Sequence, residues 1–128
     1  MQILAPYKDH IYAVTRILAG FMFAGHGAQK VLGMFGGTPP DAPAFVIWVA
    51  GPIELVGGLL IATGLFTGPA AFVSSGLMAC AYFMAHQPQG LLPIQNHGEL
   101  AVLYCWLFLF IAAKGSGPLS VDAARGAP

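Results

Sequence analysis

The chain has 128 residues and a formal net charge of zero; 57% of its residues are hydrophobic and only 8% are charged. A soluble domain carries about 25% charged residues, so a water-soluble globule of this size is excluded. With no basic run and no acidic tail, a nucleic-acid partner is excluded as well.

The predicted elements are four apolar helices forming an all-α, integral membrane four-helix bundle over residues 1–114, followed by a polar tail over 115–128. A spanning helix needs about 20 residues. In lipid every backbone polar group must be satisfied internally, which favours helices, and the alternating short segments of a membrane barrel are not visible. The first helix covers roughly 11–35. Lys8 before it resembles the start of a signal peptide, but the apolar run is too long and carries Arg16 and His26, so cleavage is not expected. At about 100° per residue, Arg16, Gly20, Phe23, His26, Gly27 and Lys30 share one broad face. Its glycines admit a close neighbour, and its basic groups then point at that neighbour. Arg16 and Lys30 have the alternative of snorkelling to the two headgroup regions; His26 is too deep to do so.

The second helix, roughly 44–65, places Glu54 near mid-membrane inside Gly51-Pro52-Ile53-Glu54-Leu55-Val56-Gly57-Gly58. A buried carboxylate needs a cation or a proton. By depth His26 is its best partner, with Arg16 and Lys30 as the other candidates. The competing reading is an ion pair that only fixes helix register. The third helix, roughly 68–85, follows a tight turn at Phe66-Thr67-Gly68-Pro69. The fourth has its apolar heart at 100–113 and begins near Asn96, drawing Asn96, His97 and Glu99 below the surface. Asn96 reads as a helix cap with Glu99 in a capping-box position, which leaves a ligand-facing role open. His86 and His97 read as interfacial histidines. The tail after Lys114 is expected to be mobile.

Lys8, Lys114 and Arg125 flank the ends, and four spans put both ends on one side. The positive-inside rule makes that side cytoplasmic, and an inner bacterial membrane is the expected location. Cys80 and Cys105 lie in apolar runs without a CxxC pattern and read as small packed or lipid-facing residues. No histidine pair has a recognised metal-ligand spacing, so no metal site is expected.

The residues also carry a resemblance. Arg16-x9-His26-Gly27-x-Gln29-Lys30 with Phe35-Gly36-Gly37, then Gly51-x-x-Glu54-x-x-Gly57-Gly58, then Asn96-x-Gly98-Glu99-Leu100, resemble the DoxX family of small bacterial membrane proteins over about residues 10–123. The resemblance implies a four-helix membrane bundle, distantly similar to vitamin K epoxide reductase-like and methylamine-utilisation membrane proteins. It also implies redox-associated roles, with quinone as acceptor in one branch and complexes that handle oxidative and thiol stress in others. Thiol exchange is not expected here, because it needs an attacking and a resolving cysteine in reach.

The resulting expectation is a buried polar site of Arg16, His26, Gln29, Lys30, Glu54, Asn96 and Glu99, with His26, Lys30 and Glu54 as the cofactor-binding part. Quinone or another small lipophile is the expected ligand, with haem ranked behind it. The aromatics Phe21, Phe23, Phe35, Trp48 and Tyr104 are candidates for lining such a pocket. The alternatives are a non-catalytic accessory subunit of a larger membrane complex and, third, a small transporter. The bilayer is the expected partner in every case, with other complex subunits in the second.

Overall fold

Gly and Pro positions divide the chain into helices, and a computed structural model describes residues 1–127. A short 3-10 helix, Gln2–Tyr7, leads into α1, Lys8–Leu32, which Gly33 ends in the left-handed conformation. A π-helical turn, Val46–Ala50, runs into α2, Gly51–Thr63, which ends on Gly64 in the same left-handed way. Helix α3, Thr67–Ala81, continues through a second π turn, Tyr82–His86, and a 3-10 turn, Gln87–Gln89. Two one-turn helices, α4 (Pro93–Asn96) and α6 (Val121–Ala124), flank the longer α5, Glu99–Lys114. There is no strand among the described residues.

Both π turns have the same cause. Each ends two residues before a proline: Gly51 donates to the Val46 carbonyl ahead of Pro52, and Gln87 donates to the Tyr82 carbonyl ahead of Pro88. Proline has no amide hydrogen, and its ring collides with the carbonyl four residues back. The turn before it widens to relieve that collision.

Helix α1 packs along α2, and α3 packs along α5; the two pairs meet mainly through α2 and α3. The first pairing is backbone to backbone. A methyl group on Gly20 would strike the backbone of Ala62 and Gly58, one on Gly27 the backbone of Leu55, and one on Gly58 the backbone of Ala24. These are the small-residue faces the sequence marks on α1 and α2. Between the pairs lies a packed layer in which Phe23 meets Phe108 at 4.7 Å and Tyr104 stacks on Phe108 at 5.2 Å. Ile61 and Ile111 are fully buried beside it.

Two helical stretches, Val46–Thr63 and Thr67–Gln89, are long and apolar enough to cross a membrane. Helix α1 has the length, about 37 Å at 1.5 Å per residue, but it carries Arg16 and Lys30. Helix α5 has 16 residues, about 24 Å. The outward surface is apolar, with Phe21, Trp48, Phe72 and Trp106 all more than half exposed.

The C-terminal segment differs from the expected loose tail. Ser116 and Asp122 are buried. The Tyr12 hydroxyl donates to the Gly115 carbonyl at 2.5 Å, and Lys114 lies 3.9 Å from Asp9. The start of α1 and the end of α5 therefore share one end of the molecule.

Candidate functional site

The polar residues marked in the sequence form two separate clusters, because Arg16 and Lys30 are 14 positions apart on α1, about 21 Å. Between them sits the layer of Phe23, Phe108, Ile61 and Ile111.

The first cluster surrounds Arg16, which is fully buried. Its guanidinium donates to the carbonyls of Ile61 (2.6 Å), Ala62 (2.9 Å), Leu119 (2.8 Å) and Pro118 (3.3 Å). Ile61 and Ala62 lie in the last turn of α2, where carbonyls have no partner within the helix and the dipole favours a cation. Close by, the Asp122 carboxylate caps the other side of the same turn. It accepts from the amides of Phe66 (3.0 Å) and Thr67 (2.9 Å) and from the Thr67 hydroxyl (2.9 Å). These contacts, the Thr67 amide first, hold the Asp122 carboxyl below the usual carboxylate range despite the opposing effect of burial. The C-terminal segment thus ties the end of α2 to the start of α3. Arg16 belongs to this clamp, not to the expected shared site.

The second cluster lies at the opposite end. Lys30 Nζ meets Glu54 Oε2 at 2.5 Å, with side chains 18% and 6% exposed. Depth along the helices favours His26 as the partner of Glu54; the structure pairs it with Lys30, one turn further along. Lys30 is accordingly turned inward and does not snorkel. Both residues line a cavity of about 730 Å³. One wall is Phe23, His26 and Lys30 of α1, and a second is Val46 and Ala50 of the π turn with Glu54. Leu77, Met78 and Ala81 of α3 continue into Met84, Ala85 and His86 of the second π turn. Leu100, Ala101 and Tyr104 of α5 close it, with Pro43, Phe45 and His97 from the connecting segments. His26 meets Tyr104 edge-to-face at 6.5 Å.

Besides Arg16, three expected site residues stand outside this cavity. Gln29 is half-buried beside Lys30 but points off the lining face. Glu99 is exposed at the first position of α5, where it complements the helix dipole. Asn96 is 1% exposed and works on the polypeptide. Its Oδ1 accepts from the Gly98 amide (2.9 Å), and its Nδ2 donates to the Gly90 carbonyl (3.0 Å) and the Tyr82 hydroxyl (3.2 Å). It is the last residue of α4, and α5 starts at Glu99 with Gly98 as its N-cap and no side-chain cap bond, so the expected capping box does not form. Its backbone carbonyl also accepts from His86 Nδ1 at 3.1 Å.

Of the expected aromatic lining, Phe23 and Tyr104 are present, while Phe21, Phe35 and Trp48 face outward. His86 reads from sequence as interfacial and instead lines the cavity. The sequence signal for it is Pro88, which follows the π turn that His86 ends. No group of three or more His, Cys, Asp and Glu side chains that could hold a metal ion exists among the described residues. Cys80 and Cys105 are both free.

The cavity therefore joins an apolar, sulfur- and aromatic-lined volume to one ion pair and three imidazoles. Such a volume suits a small ligand with a polar end. Comparison with known proteins gives a family and one informative relative. The family model described as DoxX matches residues 11–87, a span that holds Arg16, His26, Lys30 and Glu54 but ends before Asn96 and Glu99. An uncharacterized protein of Haemophilus influenzae is 40% identical over 129 residues, covering 95% of this chain and 96% of the relative. No solved structure matches the chain.

Proposed function

This chain belongs to the DoxX family, and we propose that it is a membrane-embedded four-helix protein whose cavity binds a small lipophile of the quinone class. In this reading α1, α2, α3 and α5 cross the membrane, and residues up to about 114 form the embedded part. The shared end of α1 and α5, with Lys8, Lys114 and Arg125 nearby, faces the cytoplasm of a bacterial cell. The cavity opens toward the other side.

The observation that carries the reading is the Lys30–Glu54 pair on the wall of a large apolar cavity. Ionisable groups inside a membrane are costly and mark functional sites. A quinone carbonyl requires donors, which Lys30 and His26 supply. The apolar walls suit its ring and chain, and Glu54 can exchange a proton with Lys30. The chain has no electron carrier among its side chains, so a partner subunit supplies electrons, and the protein serves as a redox-associated subunit.

The test is binding of a quinone analogue to the purified protein in lipid nanodiscs. Saturable binding that weakens at least tenfold in Glu54→Gln and His26→Ala supports the reading. Affinity unchanged in both variants sinks it.

The second reading is a non-catalytic accessory subunit, in which the ion pair only holds α1 against α2. The outward-facing aromatic surface, Trp106 and Phe110 on α5 among it, favours a neighbouring helix or lipid equally. Stoichiometric co-purification of other subunits with no ligand in the cavity would support it. The transporter reading is disfavoured by the packed layer that closes the cavity at one end.

A further inference from the structure

We infer that His86 is a hydrogen-bond acceptor oriented into the cavity by the fold, and that the lipophile bound there carries an acidic hydroxyl of the phenol or quinol type. The inference rests on the cavity being a lipophile site and adds the chemistry of the ligand's polar end.

The Asn96 carbonyl oxygen can only accept, so the His86 Nδ1 at 3.1 Å carries the hydrogen. In a neutral imidazole the other nitrogen then bears a lone pair. His86 lines the cavity, and with Nδ1 taken by the backbone, Nε2 is the nitrogen left for a ligand. The tautomer is held firmly. Asn96 is buried and tied to the Gly98 amide, the Gly90 carbonyl and the Tyr82 hydroxyl, and Tyr82 lies stacked against the His86 ring at 6.4 Å.

The other groups facing this volume do not offer the same thing. Lys30 of α1 has hydrogens to donate but no lone pair, and the carboxylate of Glu54 of α2 is held by it through Oε2. Tyr104 of α5 presents a hydroxyl, and His97 between α4 and α5 is exposed at the rim. His26 lies against the Tyr104 ring with no backbone contact fixing its tautomer. His86 is the imidazole whose lone pair the fold orients. A hydroxyl complements it; an ether or a carbonyl oxygen, which can only accept, does not.

The experiment compares 4-nonylphenol with 4-nonylanisole, its methyl ether, by calorimetric titration of the full chain in nanodiscs with empty discs subtracted. At about pH 8 the phenol should bind about five- to tenfold tighter, the value of one hydrogen bond. His86→Phe should bind both compounds equally, and its retained affinity for the ether reports that the cavity is intact. Equal affinities in the wild-type protein, or a preference that survives in His86→Phe, overturn the assignment while leaving the cavity reading in place. Binding of neither compound overturns both.

Discussion

Glu54 shows what one side chain has to satisfy. Its carboxylate is 6% exposed and has one cation beside it. Removing a single partner of a buried pair leaves an uncompensated charge, which costs about 3–5 kcal/mol. Glu54→Leu alone should therefore lower thermal stability more than Glu54→Leu combined with Lys30→Met. A double-mutant cycle of melting temperatures reads this coupling, and additive losses would mean the pair is not formed. Asp122 makes the converse case at the other end. Its three hydrogen bonds depress its folded pKa, so its stabilising effect is complete above the ordinary carboxylate value of about 3.9. That effect is lost only as pH falls through the lower folded value. Protection of the C-terminal segment from protease should accordingly persist down to about pH 4 in the wild type. Asp122→Asn, with one acceptor oxygen in place of two, should lose it at neutral pH. Retained protection in that variant would count against the cap.

At the scale of elements, the glycine faces of α1 and α2 decide how close the helices come. Gly58 sits against the backbone of Ala24, which no rotamer change can move aside. Gly58→Val should destabilise by at least the 1–3 kcal/mol typical of overpacking, whereas Gly76→Val, with open space around it, should leave the melting temperature nearly unchanged. Equal effects would contradict backbone contact. This packing is legible in the sequence, because small residues at helical spacing beside Glu54 mark a face that a second backbone approaches. The choice of Lys30 over His26 is not legible there. The two lie one turn apart on the same face, and the difference is set by the register of α1 against α2. The clamp at Arg16 is also hidden, for a different reason. All four of its partners are backbone carbonyls, and a carbonyl has no residue type to recognise. Cutting the chain after Lys114 removes the Pro118 and Leu119 carbonyls and should expose the guanidinium with the Ile61 and Ala62 carbonyls, lowering stability by about 3 kcal/mol or more.

For the molecule as a whole, the two polar clusters divide the labour. The Arg16–Asp122 end is closed by its own backbone, and both of these buried charges are occupied there. The Lys30–Glu54 end borders open volume. An apolar layer of fully buried residues separates them, so under the proposed function a ligand would enter from the side of the 33–45 and 87–98 connections. The sequence places the charges correctly within apolar helices but groups them as one site, because depth in a helix is easily read and the packed layer between two depths is not. Arg16 leaves the expected site on that account; Gln29, Asn96 and Glu99 stay at the cavity end but outside its lining, and His86 enters it. The central claim is that Lys30 and Glu54 meet on the wall of a cavity that holds a lipophile. A high-resolution density map of the protein purified in native lipid nanodiscs tests it most directly. The account predicts the two side chains in contact, facing inward, with continuous density for an elongated small molecule between His26, His86 and Tyr104. Glu54 turned to the surrounding lipid, or a cavity filled by the protein's own side chains, would contradict it.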